Sequence, residues 1–516
     1  MKISRIRFIT GSNFSATQIN NSLFLLLKII LTSLILALAG CNQTLSKQAA
    51  TQDVETLTPP NILFIYTDDQ APWALGRSGN KQALTPNLDK LANQGMYFPN
   101  AYATTPVCTP SRAGLLTSQY GYELGLDDWI NTKAKTLTGH QPDLGLEQKY
   151  ETWPEILQQK GYKTGLIGKW HLGYQPKHHP TQHGYDEFVG FVGGGTSPDN
   201  PVLEINGQAQ KTQGLTTDIL TDHALAFIEK HKNSRFALSL HYRAPHYKFL
   251  PVAPEDEAPY LNMEMELPHP AYPDLNTARA KQFMREYLSS VRGIDRNVGR
   301  VMNLLDNLKL TDNTMVIFTS DHGYNIAFNG IWHKGNGFWL VNNPPASTEQ
   351  IPSGQRPNLY NPSLKVPTLI RWPNVIKANT QNLTSISNLD WFPTLMHVAN
   401  AKPSASNIIR GKSFFTALQD ENIVLSSDYY AAYTTQHQSI TGMRMYSDGQ
   451  YKLLRDFKNP GRDEFYDLIN DPEETTNLIN SKLSEQQQSI VTKFDQIISE
   501  KMRTTSDPLY QAVVSD

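Results

Sequence analysis

The sequence predicts an α/β fold with a mostly parallel central sheet, followed by a smaller unit of antiparallel strands and a helix. Over residues 60–371, short apolar runs alternate with segments that carry helix-start signals, and this alternation is typical of parallel α/β sheets. Polar clusters directly follow several of the runs, as expected where ligands gather at the carboxyl ends of strands. From about residue 420, short segments rich in Tyr and Ser replace this pattern, which favours antiparallel pairing.

The elements of the large unit follow from apolar runs and helix caps. The run at 61–66 lies between two prolines and two aspartates, and it predicts a buried strand. Further apolar runs predict strands at 164–167, 235–240, 315–319 and 366–371. Thr85 and Pro86 mark a helix start as its cap and first helical residue. Further helices are expected at 153–160 and 277–308. We expect a polar loop at 241–246.

The C-terminal unit is predicted from a hairpin and a closing helix. Segments 443–446 and 451–454 are joined by Asp448 and Gly449, a pair typical of tight turns between antiparallel strands. Apolar periodicity at 483–502 predicts an amphipathic helix. We therefore divide the chain into a leader, a tether, a large α/β unit and a C-terminal α+β unit, at residues 1–40, 41–59, 60–415 and 416–516.

The composition is that of a globular protein that does not bind nucleic acid. The chain has 516 residues, of which 39% are hydrophobic and 18% charged, and its formal net charge is −2. Such a chain is long enough for more than one core. No overall positive field exists to neutralise phosphates, so an anionic substrate has to be held by a few local cations.

The N-terminus resembles the signal of an exported bacterial lipoprotein. Basic residues precede an apolar core at 29–38. Leu-Ala-Gly-Cys at 38–41 resembles a lipobox, which implies that Cys41 becomes the lipidated N-terminus. The alternative is a transmembrane anchor, but the apolar run 23–39 is interrupted by Lys28 and is shorter than the roughly 20 residues that a span needs. We expect a lipoprotein at the outer membrane, the cell surface or the periplasm.

The second cysteine opens the most specific string of the chain, Cys-Thr-Pro-Ser-Arg at 108–112. This string resembles the signature of the formylglycine-dependent sulfatase family, and further family-like segments follow in order to about residue 480. The resemblance implies the alkaline-phosphatase-like fold and a maturation enzyme that oxidises Cys108 to formylglycine. The hydrated aldehyde would attack sulfur through one hydroxyl and expel sulfate through the other, while Arg112 would hold the hydrate and the sulfate charge. Alone, Cys108 could be a structural cysteine before a Pro-Ser turn.

Carboxylates after two predicted strands suggest a metal site. Asp68 and Asp69 follow the first strand, and Asp321 and His322 follow a later one. Three carboxylates and an imidazole suit a divalent cation that polarises a sulfate oxygen, and oxygen-rich ligation favours Ca²⁺ over Mg²⁺. Each pair alone is an ordinary turn or helix cap. The family resemblance adds the modified Cys108 as a further ligand.

Three more family-like segments supply the other expected catalytic residues. Lys169 and His171 lie two apart, so on an extended segment both side chains face the same way. By resemblance, Lys169 binds sulfate and His171 assists the elimination step. His246 would protonate or orient the leaving oxygen, and Lys334 would contact both sulfate and the ester oxygen. Each of these short strings, taken alone, can be structural instead.

These observations predict a sulfatase that cleaves sulfate esters of a carbohydrate, such as a sulfated algal polysaccharide or its oligosaccharides. Aromatic residues at 332–339 are candidates for stacking on sugar rings, or for ordinary loop packing. Two alternatives remain: a phosphonate monoester or phosphodiester hydrolase of the same fold, and a non-catalytic glycan-binding lipoprotein. The expected partners are the sulfated carbohydrate, the maturation enzyme and a membrane reached through the lipid anchor.

Overall fold

The computed structural model describes residues 58–131 and 143–510. The predicted leader and Cys41 lie outside these ranges, so the lipoprotein assignment stays a prediction. The described residues from Pro59 onward form one compact unit. Within the described ranges, no helix is both long enough and apolar enough to cross a membrane.

Strands and helices alternate through the large unit and are followed by a small sheet and a closing helix. The strands β1 to β19 span, in chain order, Asn61–Asp68, Met96–Tyr97, Ala101–Tyr102, Lys163–Lys169, Glu187–Phe191, Val202–Ile205, Gln208–Lys211, Phe236–Pro245, Thr314–Ser320, Asn325–Ile326, Ile331–His333, Phe338–Trp339, Leu369–Arg371, Thr380–Gln381, Ile386–Ser387, Tyr429–Thr435, Thr441–Ser447, Tyr451–Asp456 and Glu464–Asp467. The helices α1 to α10 span Pro86–Asn93, Cys108–Thr117, Trp153–Gln159, Thr216–His231, Pro254–Glu257, Thr277–Asn307, Asn361–Leu364, Trp391–Val398, Phe415–Gln419 and Glu485–Thr504.

A ten-stranded sheet organises the large unit, in the order β14-β2-β13-β9-β1-β8-β4-β5-β6-β7. Its central strands β9, β1, β8, β4 and β5 are parallel to one another. Strands β13 and β6 join this group on either side in antiparallel orientation. The predicted α/β class with a mostly parallel sheet is confirmed, and the antiparallel strands lie toward its edges.

Helices cover both faces of the sheet. Neighbouring residues of a strand point to opposite faces, so each central strand contributes side chains to both layers. Ile65 of β1 belongs to a buried cluster with side chains of α4 and α6, such as Leu220 and Val298. On the other face, Phe64 packs against Trp153 of α3 and Trp391 of α8, with ring centroids 6.1 and 5.2 Å apart. The apolar layers therefore hold the sheet between helices.

The C-terminal unit is a four-stranded sheet, β16 to β19, whose strands pair antiparallel. Strands β17 and β18 form the predicted hairpin, and Gly449 in its turn has a φ of 93°. Phe494, Ile498 and Met502 of α10 pack in one buried cluster with Leu453 of β18. The predicted hairpin and closing helix are confirmed, and the domain boundary at residue 416 stays a prediction.

The polar loop expected at 241–246 is wrong. Strand β8 continues to Pro245, so only the last residue of that segment lies outside the strand. Tyr242 and Ala244 belong to the buried core, and burial of alternate residues keeps this part of the chain extended. The polar side chains between them are carried on the strand itself.

Two other local expectations also differ from the structure. The Thr85 side chain does not cap α1; its hydroxyl accepts a hydrogen bond from Gly76 N at 2.9 Å and donates to Asp89 Oδ1 at 3.2 Å. The strand expected at 366–371 begins only at Leu369, and it pairs antiparallel with β9.

Candidate active site

The carboxyl ends of β1 and β9 meet because the two strands are parallel neighbours. Asp68 ends β1, and Asp69 follows it with a φ of 71°. The Asp69 amide donates to Asp321 Oδ1 at 3.1 Å across a sequence separation of 252 residues. The Asp321 amide in turn donates to Thr67 O at 3.1 Å. These crossed hydrogen bonds join the two acidic clusters that the sequence predicts to cooperate.

A tyrosine holds the left-handed backbone of Asp69. This conformation costs a non-glycine residue about 1–2 kcal/mol. The Tyr287 hydroxyl donates to Asp69 O at 2.7 Å and accepts a hydrogen bond from Ala71 N at 3.1 Å. Ser320 Oγ accepts from Gln70 N at 2.9 Å. The turn that presents the two carboxylates is therefore buried and braced by side chains from α6 and β9.

Cys108 is the first residue of α2 and lies against the acidic turn. Its Sγ is 3.5 Å from Asp68 Oδ1, 3.5 Å from His322 Nε2 and 3.1 Å from Lys334 Nζ. Burial and Asp68 raise the pKa of the thiol, whereas Lys169 and Lys334 lower it, and the net shift is downward. The two lysines therefore favour the thiolate form of Cys108, which is the nucleophilic form of a thiol.

Two buried lysines pair with the carboxylates. Lys169 Nζ lies 2.6 Å from Asp68 Oδ2, and Lys334 Nζ lies 2.6 Å from Asp69 Oδ1. Burial alone would raise the pKa of Asp68, but Lys169 holds it well below its usual range. Burial raises the pKa of Asp69 to about 7, because Lys334 only partly offsets burial and the neighbouring Asp68 charge. The site therefore favours additional positive charge near Asp69.

Arg112 braces Asp321. Its Nε donates to Asp321 Oδ2 at 3.0 Å, and its Nη2 forms an ion pair with the same oxygen at 3.0 Å. Its Nη1 donates to Lys169 O at 3.2 Å. Because Arg112 lies four residues after Cys108 in α2, both side chains are on the same face of that helix. The contact of Arg112 with sulfate stays a prediction.

His171 is held as a neutral ring. Its Nε2 donates to Ile130 O at 3.2 Å, and its buried Nδ1 has no hydrogen-bond partner among the described residues. Burial, and then Lys169, keep the pKa of His171 well below its usual range. The extended segment expected for Lys169 and His171 is wrong, because β4 ends at Lys169 and His171 has a φ of 63°. The turn leaves Nδ1 available as a proton acceptor.

His246 follows β8 and lies beside Asp69. Its Nε2 is 3.9 Å from Asp69 Oδ2, and its side chain is 24% exposed. Its Nδ1 donates to Tyr247 O at 2.7 Å. This exposure places His246 where a leaving group that enters from solvent can meet it.

A cavity of about 570 Å³ opens onto these groups. Four of the predicted catalytic residues line it: Cys108, His171, His246 and Lys334. Arg112 and Lys169 are not among the described lining residues. Several lining residues are not predicted from the sequence, namely Trp129, Tyr174, Gly193, Gly194, Gly195 and Gln438. The run of three glycines was a usable signal, since such a run permits close approach of other side chains.

The aromatic rings of segment 332–339 lie in two places, one at the cavity and another packed against helix α6. Phe338 lines the cavity, whereas Trp332 packs on Phe283 with ring centroids 4.8 Å apart. Nothing in the sequence marked Gln438, which arrives from the loop between β16 and β17 of the C-terminal sheet. The pocket is therefore built by both parts of the fold.

The donor set of the site fits a divalent cation. Four buried side chains offer ligand atoms within 4.8 Å of one another: Asp68, Asp69, Cys108 and His322. Asp69 Oδ2 is buried without a hydrogen-bond partner among the described residues. His322 Nδ1 donates to Gly323 O at 3.0 Å, which leaves Nε2 directed at the cluster. Asp321 has Oδ1 on backbone amides and Oδ2 on Arg112, and its role as a ligand stays a prediction.

Comparison with protein families and curated proteins gives consistent matches. The family model described as sulfatase matches residues 60–401, and the model described as N-sulphoglucosamine sulphohydrolase, C-terminal, matches residues 355–503. The N-acetylglucosamine-6-O-sulfatase of Bacteroides thetaiotaomicron is 25% identical, over 92% of each chain. Human N-acetylgalactosamine-6-sulfatase is 29% identical, over 70% of this chain and 66% of its own.

Solved structures match over nearly the same length. One is a complex with its substrate D-glucosamine-2-N,6-O-disulfate, with a TM-score of 0.71 and 24% identity, covering 87% of this chain and 99% of that chain. Another is a complex with a neocarrahexaose, with a TM-score of 0.70 and 24% identity, covering 88% of this chain and 99% of that chain. At this identity the structural likeness concerns the fold.

Proposed function

This chain belongs to the sulfatase family and is a sulfuric ester hydrolase, and we propose that it removes sulfate from a carbohydrate, using a formylglycine made from Cys108 and a bound divalent cation. One observation carries the proposal. Cys108 lines the cavity, and its Sγ lies 3.1 Å from Lys334 Nζ and 3.5 Å from atoms of both Asp68 and His322. A group at that position can attack an ester whose anionic oxygens lie among buried cations.

The side chains around Cys108 supply the remaining catalytic functions. Hydrated formylglycine supplies a nucleophilic hydroxyl and a second hydroxyl that lets sulfate leave, and a bound cation supplies positive charge to a sulfate oxygen. Lys334 places a further positive charge near the reacting group. His171 offers its Nδ1, which has no hydrogen-bond partner among the described residues, to accept a proton during elimination. His246 lies at the exposed side with its Nδ1 proton on Tyr247 O, and it is placed to orient the leaving oxygen through Nε2.

The carbohydrate assignment has two independent supports. The cavity beside Cys108 combines aromatic side chains with amides, including Trp129, Phe338 and Gln438, and such a lining suits an apolar ring face with hydroxyl groups at its edge. The two curated relatives described above are named for sulfatases of N-acetylhexosamines. We infer a sulfated sugar, with 6-sulfated N-acetylhexosamines as the first candidates.

A substrate panel tests the reaction and its substrate class. Purified, matured protein should hydrolyse N-acetylglucosamine 6-sulfate, N-acetylgalactosamine 6-sulfate or sulfated galactan oligosaccharides with a higher kcat/KM than matched phosphate and phosphonate esters. A preference for the phosphorus esters would identify a phosphonate or phosphodiester hydrolase. Turnover of aryl sulfates only would overturn the carbohydrate assignment.

The two proposed components of the site are tested separately. Mass spectrometry of the peptide that contains Cys108 should show an aldehyde in active preparations, and activity with only unmodified Cys108 would contradict formylglycine.

Chelation should remove activity, and Ca²⁺ should restore it better than Mg²⁺. Chelation should lower the Tm of the wild type but not that of Asp69→Asn, because the variant lacks one charged ligand and does not retain the cation. Full activity of the metal-free protein would exclude a catalytic cation.

We propose that the protein is an exported lipoprotein anchored through Cys41. The support is the lipobox-like string at 38–41 after an apolar core. Detergent partitioning of the native protein should place it in the detergent phase, and Cys41→Ser should move it to the aqueous phase or block processing. Identical partitioning of both proteins would contradict the anchor.

A further inference from the structure

Trp129 lies between the active-site cavity and a second cavity. It lines the cavity of about 570 Å³ that contains Cys108 and also the neighbouring cavity of about 490 Å³. Its backbone is tied to the catalytic residues, because the next residue, Ile130, accepts a hydrogen bond from His171 Nε2 at 3.2 Å and donates its amide to Thr109 Oγ1 at 3.1 Å. The backbone beside Trp129 is therefore tied to the residues around Cys108.

A loop of the C-terminal sheet contacts the Trp129 ring beside the second cavity. His437, in the loop between β16 and β17, packs its ring against Trp129 with centroids 4.6 Å apart. Buried Asp128 pairs with His437 Nδ1 at 2.8 Å and accepts hydrogen bonds from the amides of Gln436 and Trp129 at 3.0 and 2.9 Å. One carboxylate thus fixes both the loop and the tryptophan.

We propose that Trp129 is a specificity-determining residue on which the sugar ring stacks, and that His437 is its positioning residue. The inference rests on the proposed carbohydrate function and names the contact that would select the sugar. One face of a pyranose ring presents C–H bonds, whose slightly positive hydrogens meet the negative face of an indole, and burying both surfaces removes apolar area from water. Gln438, adjacent to His437, lines the same cavity and offers amide hydrogen bonds to sugar hydroxyls.

The test separates the sugar contact from the sulfate contact. With a 6-sulfated N-acetylhexosamine as substrate, Trp129→Ala should raise KM about tenfold, the scale for losing one buried tryptophan contact, and leave kcat within about threefold. Inorganic sulfate is the reaction product without the sugar, and its inhibition constant should stay within about twofold. Trp129→Phe should restore most of the lost affinity, because it retains an aromatic face.

His437→Ala tests the positioning role. It should raise KM less than Trp129→Ala does, and the double variant should have the KM of Trp129→Ala alone, because His437 acts through the tryptophan. Additive effects of the two substitutions would overturn the positioning role.

Other outcomes would overturn the stacking contact itself. An unchanged KM in Trp129→Ala would do so, and so would an equal loss of affinity for inorganic sulfate, since that loss would reflect a general distortion of the site. Failure of the proposed function has a different signature, in which the wild-type protein hydrolyses aryl sulfates but no sulfated sugar. That result would remove the basis of this inference as well.

Discussion

Gly194 lies so close to His171 that a Cβ atom on Gly194 would stand 2.7 Å from both Cε1 and Nε2 of the imidazole. Real Cβ atoms do not approach other atoms this closely, so a larger residue must displace the ring. The ring has little freedom to move, because it is buried and bonded to Ile130 O. The absence of a side chain at residue 194 therefore permits the observed position of His171.

Gly194→Ala should lower kcat about 10²-fold, the scale for losing one acid–base group, while the protein remains folded. The matched control is Gly195→Ala, because a Cβ at Gly195 meets nothing within 4 Å. Steady-state kinetics on both variants, together with their Tm values, provide the measurement. Equal activity of the two variants would show that the contact with His171 does not matter.

Tyr287→Phe should weaken cation binding about tenfold and destabilise the fold by about 1–3 kcal/mol, because Asp69 O and Ala71 N lose a buried partner. Tyr324→Phe is the control, since the Tyr324 hydroxyl is buried without a hydrogen-bond partner among the described residues and its ring stacks on Tyr287 at 5.3 Å. Metal titration and denaturant unfolding measure the two effects. If both variants bind the cation equally, Tyr287 does not hold the Asp69 turn.

Lys334→Ala should reduce kcat/KM about 10²-fold or more, the scale for removing one charge-stabilising contact. It should also lower the Tm, because Asp69 loses an ion-pair partner at 2.6 Å and is left buried. Lys248→Ala is the comparison, since Lys248 is exposed near His246. A Lys334→Ala enzyme with kcat/KM within threefold of wild type would exclude a catalytic charge at this position.

Asp295 should make stability depend on pH between about 4 and 6. Burial raises its pKa from 3.8 to about 6, although hydrogen bonds from Leu88 N and Asn87 oppose the shift. At pH 5 the folded carboxyl is protonated while the unfolded one is ionised, so the folded state binds more protons. The contribution of Asp295 to stability therefore rises as the pH falls.

Asp295→Asn removes this titration. On lowering the pH from 7 to 4, the free energy of unfolding of the wild type relative to Asp295→Asn should increase by up to about 3 kcal/mol. Exposed Asp312→Asn serves as the surface control. Parallel pH profiles for wild type and Asp295→Asn would contradict the raised pKa.

The sequence by itself determined the fold class, the order of its main elements and the family. Apolar runs such as 61–66 and 315–319 predicted strands that the structure contains, because burial on both faces requires continuous apolar residues. The string at 108–112 and the acidic clusters identified Cys108, Asp68 and Asp69 as candidates, since such combinations of reactive side chains are rare outside active sites. The local sequence therefore indicated the candidate catalytic and metal-binding residues and the fold class that carries them.

Only the tertiary structure decided which of these residues contact one another, because the contacts join positions far apart in the chain. Lys169 forms an ion pair with Asp68, and Arg112 forms one with Asp321. The kink at His171, the ring position that Gly194 permits, and the arrival of residue 438 from the C-terminal sheet depend on the packing of separate elements. No local pattern encodes such long-range contacts, since each is set by the mutual positions of strands, helices and loops after folding.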